Sequence, residues 1–345
     1  MSAGTAAKRA LYACLDRSGA NAVLRTVSRS RVLVLCYHGV VHDRPRDASY
    51  LYRNAISEAS FDAQMASLSR LCTPISAGQL LAAVEQGQRL PRSPALVTFD
   101  DGFRNNVQHA VPILKRHAIP AVFHVATGYI GTNRILWPLE VDLRLLQWPT
   151  GRPAPCPTQG PDLFLPERSE RQASAQSIRE ACKRLPDDAR VDYLRRLRER
   201  GDDGDVRQFG DLLRFMDWDD VRRLHREGFD IGSHTVEHPI LSRLDGDAVA
   251  RELRQSKRKI EAQIQAPCRT IAYPNGGVAD YDHTVIEATR AAGYRAAFSL
   301  AERRARPGAI APWAVPRICV PAECPPATFR ARISGAYEVL NWLRG

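Results

Sequence analysis

The sequence predicts an α/β fold: a distorted (β/α) barrel of seven or eight strands with a helical insertion. Short β-branched runs alternate with amphipathic helical stretches along most of the 345 residues, which is the βαβα rhythm of a parallel sheet. The polar clusters that could carry chemistry fall where strand runs end, and in a parallel barrel those ends share one face. The length suits one barrel-type domain with insertions, and a 44% hydrophobic content supplies a sizeable core. A doubly wound open sheet is the alternative arrangement of the same units.

Residues 1–30 mix Lys8, Arg9, Asp16, Arg17, Arg25 and Arg29 with short apolar stretches and read as an N-terminal helical segment. They lack the continuous apolar centre of a secretory signal, so a cytoplasmic location is expected. No apolar run reaches the ~18 residues of a membrane span; the longest, Val32 to Tyr37, is strand-length. The main domain is expected over 31–345. Its strands are predicted at Val32–Cys36, Ala95–Phe99, Ala121–Val125, Phe229–Gly232, Thr270–Tyr273, Ala296–Ser299 and Val315–Val320, with a weak one at Thr73–Ile75. Helices are predicted at Phe61–Leu71, Gln79–Glu85, Val107–His117, Trp218–Glu227, Ala248–Ile264 and Asp282–Ala292. In the fifth of these, Val249, Leu253, Ile260 and Ile264 form a stripe at helical period. From about 131 to 215 the rhythm breaks into a Pro- and Gly-containing loop and a charged helical stretch, read as an insertion and not as a separate catalytic domain. No fixed-period repeat is present.

The net charge is +11, and many arginines alternate with acids, as in Arg195 to Arg200. A solvated helix face is the plainer account. Peripheral association with the inner membrane or attraction to an acidic glycan is the functional one. No nucleic-acid-binding motif accompanies the charge, so nucleic acid is not an expected partner. The eight cysteines are scattered without a C-x-x-C pair and read as buried or free thiols, not as a disulfide frame or zinc knuckle.

Four polar clusters follow strand runs: Tyr37-His38, Asp100-Asp101-Gly102, His234 with His238, and Tyr273-Pro274-Asn275-Gly276. Adjacent carboxylates repel, and a cation beside them keeps both ionised. Alone, Asp-Asp-Gly is also an ordinary turn. Two histidines with three residues between them suit a divalent metal. With Asp101 as third ligand they give two imidazoles and one carboxylate, a catalytic set with room for water. The stretch His234 to His238 also fits the H-x-x-E-H pattern of metalloproteases. That pattern needs a long helix, whereas Gly232, Ser233 and Pro239 flank it here. His109, His117 and His225 read as helix-face residues, while His42 and His124 lie nearer the active face. Trp137 and Trp218 could stack on sugar rings, although core packing is the commoner fate of tryptophan.

Together these motifs resemble the polysaccharide deacetylases (NodB-like, carbohydrate esterase family 4). Thr98–Gly102 resembles the first family motif, Ser233–His238 the second and Tyr273–Gly276 the third. Tyr37-His38-Gly39-Val40 and Pro316–Val320 resemble elements of the branch acting on poly-N-acetylglucosamine. The similarity spans about Arg31 to Val320, the insertion excepted. It implies hydrolytic N-deacetylation of N-acetylhexosamine units in a polysaccharide or lipid-linked glycan, releasing acetate. It further implies a divalent ion, Zn²⁺, on Asp101, His234 and His238, with Asp100 as base. A backbone N–H near Asn275 would help hold the oxyanion. The family's Arg two residues before the third-motif Pro is Ala272 here, so Arg317, or else Arg269, would orient the base. The family's late Leu-x-His is absent and the last histidine is His283, so His38 would be the general acid. A catalytically inactive glycan-binding protein of the same fold is the reading of a different class.

Overall fold

The computed structural model describes residues 3–43, 54–158, 160–167, 170–201, 213–306 and 308–342. Its strands are β1 (Leu33–Tyr37), β2 (Gly39–Val41), β3 (Ala55–Ser57), β4 (Thr73–Pro74), β5 (Pro94–Phe99), β6 (Ala121–Val125), β7 (Asp230–Ser233), β8 (Thr270–Ala272), β9 (Ala296–Ser299), β10 (Val315–Pro316) and β11 (Ile318–Cys319). The main sheet runs β10-β9-β8-β7-β6-β5-β1-β11, with β4 beside β5, and its neighbours are parallel. Only Arg317 separates β10 from β11. That one run pairs with β9 through Val315↔Phe298 and with β1 through Leu35↔Ile318. The sheet therefore returns to its own first strand as a nearly closed eight-strand barrel, and the open sheet is excluded.

The two faces of the strands have different jobs. Leu33, Leu35 and Tyr37 of β1, Val97 and Phe99 of β5, and Phe123 and Val125 of β6 pack in the main core. There the Tyr37, Phe99 and Phe123 rings stack in series at 5.6 and 4.9 Å. The alternate residues Val34, Leu96, Val122, Ala272 and Phe298 form a second core with Ile75, Leu80 and Leu81, as the period-2 alternation of barrel strands requires. Continuing that inner face toward the strand ends gives Cys36, Thr98 and His124, all buried. The barrel interior thus changes from apolar to polar along its axis.

The predicted helices form at Glu58–Leu71, Ala77–Gln86, Trp218–Arg226, Gly246–Ile264 and His283–Ala291. Ser76 and Gln79 make a capping box, as do Asp217 and Asp220, satisfying N–H groups that have no partner within the helix. The predicted helix at 107–117 begins as a π turn, Asn106–Ala110, ahead of Pro112, which has no N–H to donate. The parallel pair β2–β3 was not anticipated, because three-residue runs are too short to show a period.

The stretch read as an insertion holds helices Trp137–Leu146, Arg171–Cys182 and Asp187–Arg200; its residues 202–212 lie outside the described ones. These helices share a core that includes Trp137, Val141, Ile178, Tyr193 and Leu197. Arg179 donates to both oxygens of buried Asp142 at 2.6 Å. Near the N-terminus, helices Ala3–Arg17 and Ala20–Val27 dock on the helix Pro326–Ser334, which Ala336–Trp342 follows. There Arg330 donates to Asp16 at 2.7 Å and Ser28 Oγ to the Ser334 carbonyl at 3.1 Å. No helix among the described residues is long and apolar enough to cross a membrane.

Gly232 of β7 is where the barrel's packing reaches the strand ends. A Cβ there would collide with the His124 ring and come within 2.7 Å of Thr270 Oγ1. Gly232→Ala is expected to destabilise the protein by about 1–3 kcal/mol, the usual cost of overpacking. Chemical denaturation of the variant checks this, and unchanged stability would mean that the His124 ring has room to move.

Candidate active site

The ends of β1, β5, β7 and β8 deliver the polar residues to one cleft. β5 ends at Phe99, and the Asp100 amide still donates to the Tyr37 carbonyl of β1 at 2.9 Å. The chain then breaks direction at Asp101, whose φ is 76°. β7 ends at Ser233, and the His234 amide donates to the Val125 carbonyl at 2.9 Å. Thr235 and His238 follow with φ of 68° and 53°. After β8, Asn275 has φ 59°. L-residues rarely adopt this left-handed region, and each such residue costs of order 1–3 kcal/mol unless its surroundings enforce it.

Local hydrogen bonds enforce the geometry of the β7 loop. Thr235 N–H donates to Ser233 Oγ and His238 N–H to Thr235 Oγ1, both at 3.1 Å. Glu252, on the helix Gly246–Ile264, accepts from the Val236 and Glu237 amides at 2.7 and 3.0 Å through one carboxylate oxygen. Trp137 donates its indole N–H to the His238 carbonyl at 3.1 Å. That bond fixes Trp137 in the core, not against a sugar; Trp218 packs at the core margin.

His234 Nε2 and His238 Nε2 each lie 3.5 Å from Asp101 Oδ1. The three buried ligand atoms fall within 4.8 Å of one another. A tetrahedron with ~2.1 Å bonds has edges of roughly 3.4 Å, so the donor set has the spacing a divalent ion needs. His234 Nδ1 donates to the Ala272 carbonyl at 2.7 Å, the outer hydrogen bond that leaves Nε2 free to ligate. His238 Nδ1 is buried without a partner. Burial, reinforced by His234, pulls the His238 imidazole down to about 3, so it is neutral, the form that binds metal. Burial would raise Asp101, but hydrogen bonding to His234 and the nearby histidines bring it below the usual carboxylate value.

Asp100 lies beside this group, held from below. Arg317 Nη1 and Nη2 donate to its two oxygens at 2.7 Å each, and Nη1 also reaches Thr98 Oγ1 at 3.2 Å. Arg317 is fully buried. Burial alone would raise Asp100, but the Arg317 charge outweighs it and holds the carboxyl well below its ordinary range. His124 Nδ1 lies 3.4 Å from Asp100 Oδ1. Burial brings that ring down to about 4, so it stays neutral beneath Asp100. Arg317 is therefore the arginine on Asp100, whereas Arg269 lines a separate hollow with Ala77 and Asp230.

His38 faces Asp101 across the cleft, its carbonyl held by Asn106 Nδ2 at 2.7 Å. Burial opposes its charge, but a hydrogen bond with Cys319 and the field of Asp101 prevail, and the imidazole is pushed up to about 9. The Cys319 thiol shifts well below its ordinary value through its hydrogen bond with Cys36 and, against burial, that with His38. The cleft, about 200 Å³, is lined by His38, Asp100, Asp101, His234, His238 and Asn275. The insertion adds Leu136, Pro138, Leu139, Arg179 and Lys183 to its wall. Asn275 Nδ2 is buried without a partner.

All seven sequence-selected residues thus surround one site. Apart from His124 under Asp100, the other histidines weighed from the sequence stand away from it: His42 is exposed beside Glu58 at 2.7 Å, His109 pairs with Glu58, His117 pairs with Asp62 and His225 lines the hollow of Arg269. Sequence reasoning missed Glu252 and Cys319. Glu252 sits in no motif, and nothing within the Pro316–Val320 element singles out Cys319; the helix Gly246–Ile264 and the β1–β11 pairing bring them near.

The polysaccharide deacetylase family model matches residues 87–297, more than half of the chain, and the protein belongs to that family, the NodB-like carbohydrate esterases of family 4. His38 and Arg317 lie outside the matched stretch. Among solved structures, the fold is similar to Streptococcus pyogenes deacetylase PplD in complex with acetate (TM-score 0.58, 16% identity, covering 88% of this chain and 99% of that one). It is also similar to IcaB from Ammonifex degensii (0.56, 20%, 90% and 97%). A de-N-acetylase from Aggregatibacter actinomycetemcomitans is a third (0.57, 19%, 88% and 99%). No curated protein matches the chain in sequence.

Arg317→Ala leaves a buried carboxylate without its counter-charge and is expected to destabilise the fold by about 3–5 kcal/mol. Denaturation at neutral pH measures this. A loss below about 1 kcal/mol would mean that water or a side chain replaces the guanidinium. Glu252→Ala is expected to weaken metal binding by about 10–100-fold, and Glu252→Gln, which keeps an acceptor oxygen, to recover most of it. Equal affinities in wild type and Glu252→Ala by calorimetric titration would show that the loop holds its shape unaided.

Proposed function

We propose that the protein hydrolyses the acetamide of N-acetylhexosamine units in a polysaccharide or lipid-linked glycan, releasing acetate, with a divalent ion, Zn²⁺ by preference, on Asp101, His234 and His238. The observation that carries this reading is Asp100. It is a carboxylate kept ionised by Arg317 beside a ready set of metal donors, with a protonated imidazole facing it. Pure glycan binding needs no base beside a metal. The Asp-His-His spacing is supported by ligand chemistry, and the family assignment supports the reaction class.

In this reading the bound ion supplies positive charge that acidifies water and polarises the acetyl carbonyl. Asp100 accepts the water's proton, and Arg317 holds both of its oxygens so that one face is presented to the cleft. The oxygen of the attacked carbonyl gains charge toward the Asn275 loop, where a backbone N–H and the unpartnered Nδ2 of Asn275 offer donors. His38 gives its proton to the departing nitrogen. An amine anion is too poor a leaving group to depart without it. Bond by bond, water adds at the acyl carbon, the C–N bond breaks, and acetate and a free amine result.

The protonation states set the pH profile. Asp100 stays charged until pH falls well below the ordinary carboxylate range, so it does not limit the rate near neutrality. His38 keeps its proton below about 9 and loses it above, so kcat/KM should fall on the alkaline side. With Asp101 engaged as a ligand, part of that carboxylate's contribution to His38 would be offset and the limb would lie lower.

His234→Ala is expected to abolish tight metal binding at the Asp101–His234–His238 position and acetate release from N-acetylglucosamine oligomers; the wild-type metal stoichiometry in that variant would sink the ligand assignment. Asp100→Asn should retain the metal and lose about 10²–10⁴-fold in rate. A loss of only a few-fold would make Asp100 a structural residue. His38→Ala should flatten the alkaline limb and depress amide hydrolysis by a similar ~10²–10⁴-fold, while an activated ester, whose leaving group needs no proton, is hurt far less. Equal losses on both substrates would assign His38 a positioning role.

A further inference from the structure

A second group of ligand-bearing side chains sits beside the first and shares no residue with it. Cys36 and Cys319 are register partners on the adjacent parallel strands β1 and β11. His38 follows Cys36 by two residues and so points from the same side of the chain. The two sulfurs and one imidazole nitrogen fall within 4.8 Å of one another. With Zn–S bonds of ~2.3 Å, tetrahedral S···S edges are roughly 3.8 Å, so small side-chain adjustments complete the geometry. The backbone that carries these groups is fixed. Cys319 N–H donates to Glu302 at 2.9 Å, its carbonyl accepts from Arg332 Nη1 at 2.8 Å, and the His38 carbonyl accepts from Asn106.

We propose that Cys36, His38 and Cys319 form a second metal site, selective for thiophilic cations such as Zn²⁺ and Cd²⁺. Two thiolates and one imidazole are soft to borderline donors, unlike the carboxylate–imidazole set next door. Binding is balanced by release of two protons to solvent, the Cys36 thiol proton that Asp100 accepts and the one held by the Cys319–His38 pair, so that both sulfurs bind as thiolates and the imidazole through its neutral lone pair. The two negative sulfurs match the dication's charge, so the occupied site is neutral overall. That matters beside Arg317, whose partner Asp100 has one oxygen 3.3 Å from Cys36 Sγ. Occupancy takes from His38 the lone pair that would carry its proton. Resting on the reading of His38 as general acid, the second ion is then an inhibitor, and excess zinc stops the reaction that the first zinc supports.

Cadmium titration of metal-free, reduced protein tests the site without using activity. In His234→Ala, which lacks a catalytic ligand, one equivalent of Cd²⁺ should still bring up the ultraviolet sulfur-to-cadmium charge-transfer band. Cys36→Ser/Cys319→Ser should lose that band with the six remaining cysteines in place. In the wild type, elemental analysis should find two ions per chain, falling to one in the Cys319→Ser variant, which guards against misfolding of the double variant. No charge-transfer band in wild type, or the same band in the double variant, overturns the proposal. A band with the expected dependence, in a protein that releases no acetate at any zinc level, would leave this site standing and remove the catalytic reading instead.

Discussion

The buried ion pair between Arg317 and Asp100 is the interaction on which the rest of the site depends. Taking a guanidinium and a carboxylate out of water costs several kcal/mol per ion, and only close, paired hydrogen bonds offset it. Both bonds are present at 2.7 Å, and Thr98 takes a further guanidinium N–H. Arg317 occupies the single position between β10 and β11, where one run of chain passes from β9 to β1. The side chain that keeps Asp100 charged is thus set by the same residues that bring the barrel round on itself. Any loosening of that seam would strand a carboxylate in the interior.

A barrel interior tolerates such a pair only because its polarity is graded. Val34, Leu96 and Val122 fill the inner face at one level, and Cys36, Thr98 and His124 follow one pleat further on. Gly232 leaves the space into which His124 packs. The neutral His124 ring supports Asp100 without competing for a proton. Above it the chain leaves the strands through left-handed residues at Asp101, Thr235, His238 and Asn275, which aims the ligands inward instead of along the strands. That local strain is held by Ser233, Thr235 and Glu252, each giving an acceptor to an amide that the turn would leave unpaired.

Electrostatically the site separates two tasks among similar groups. Two neighbouring carboxylates are both ionised, one by a fixed guanidinium and the other by imidazoles. Two histidines, His124 and His238, are pressed toward neutrality by burial, while His38 is driven the other way by Cys319 and Asp101. The insertion closes one wall of the cleft with Leu136, Pro138 and Leu139 and brings Arg179 and Lys183 to it. Its own cohesion comes from a small core and from paired ions such as Arg179–Asp142 and Glu140 with Arg198. Arg195 is likewise paired, with Asp192 and Glu199 on its own helix.

The sequence by itself determined the strand and helix order and the motif residues. Asp100, Asp101, His234 and His238 could be chosen because each lies in a short contiguous pattern at the end of a β-branched run, and period and turn chemistry are local properties. His38 was readable for the same reason. Arg317 was legible only as a candidate, set ahead of Arg269 by the Pro316–Val320 resemblance; the closure of the sheet placed it on Asp100. Tertiary structure alone supplied Glu252 under the His234–His238 loop and Cys319 against His38, and it separated His124, beneath Asp100, from the exposed His42. Four left-handed positions also carried no glycine to announce them. These features depend on strand pairing and helix packing between residues from 15 to more than 280 positions apart, and no periodicity in a chain encodes which distant side chain will stand across a barrel seam.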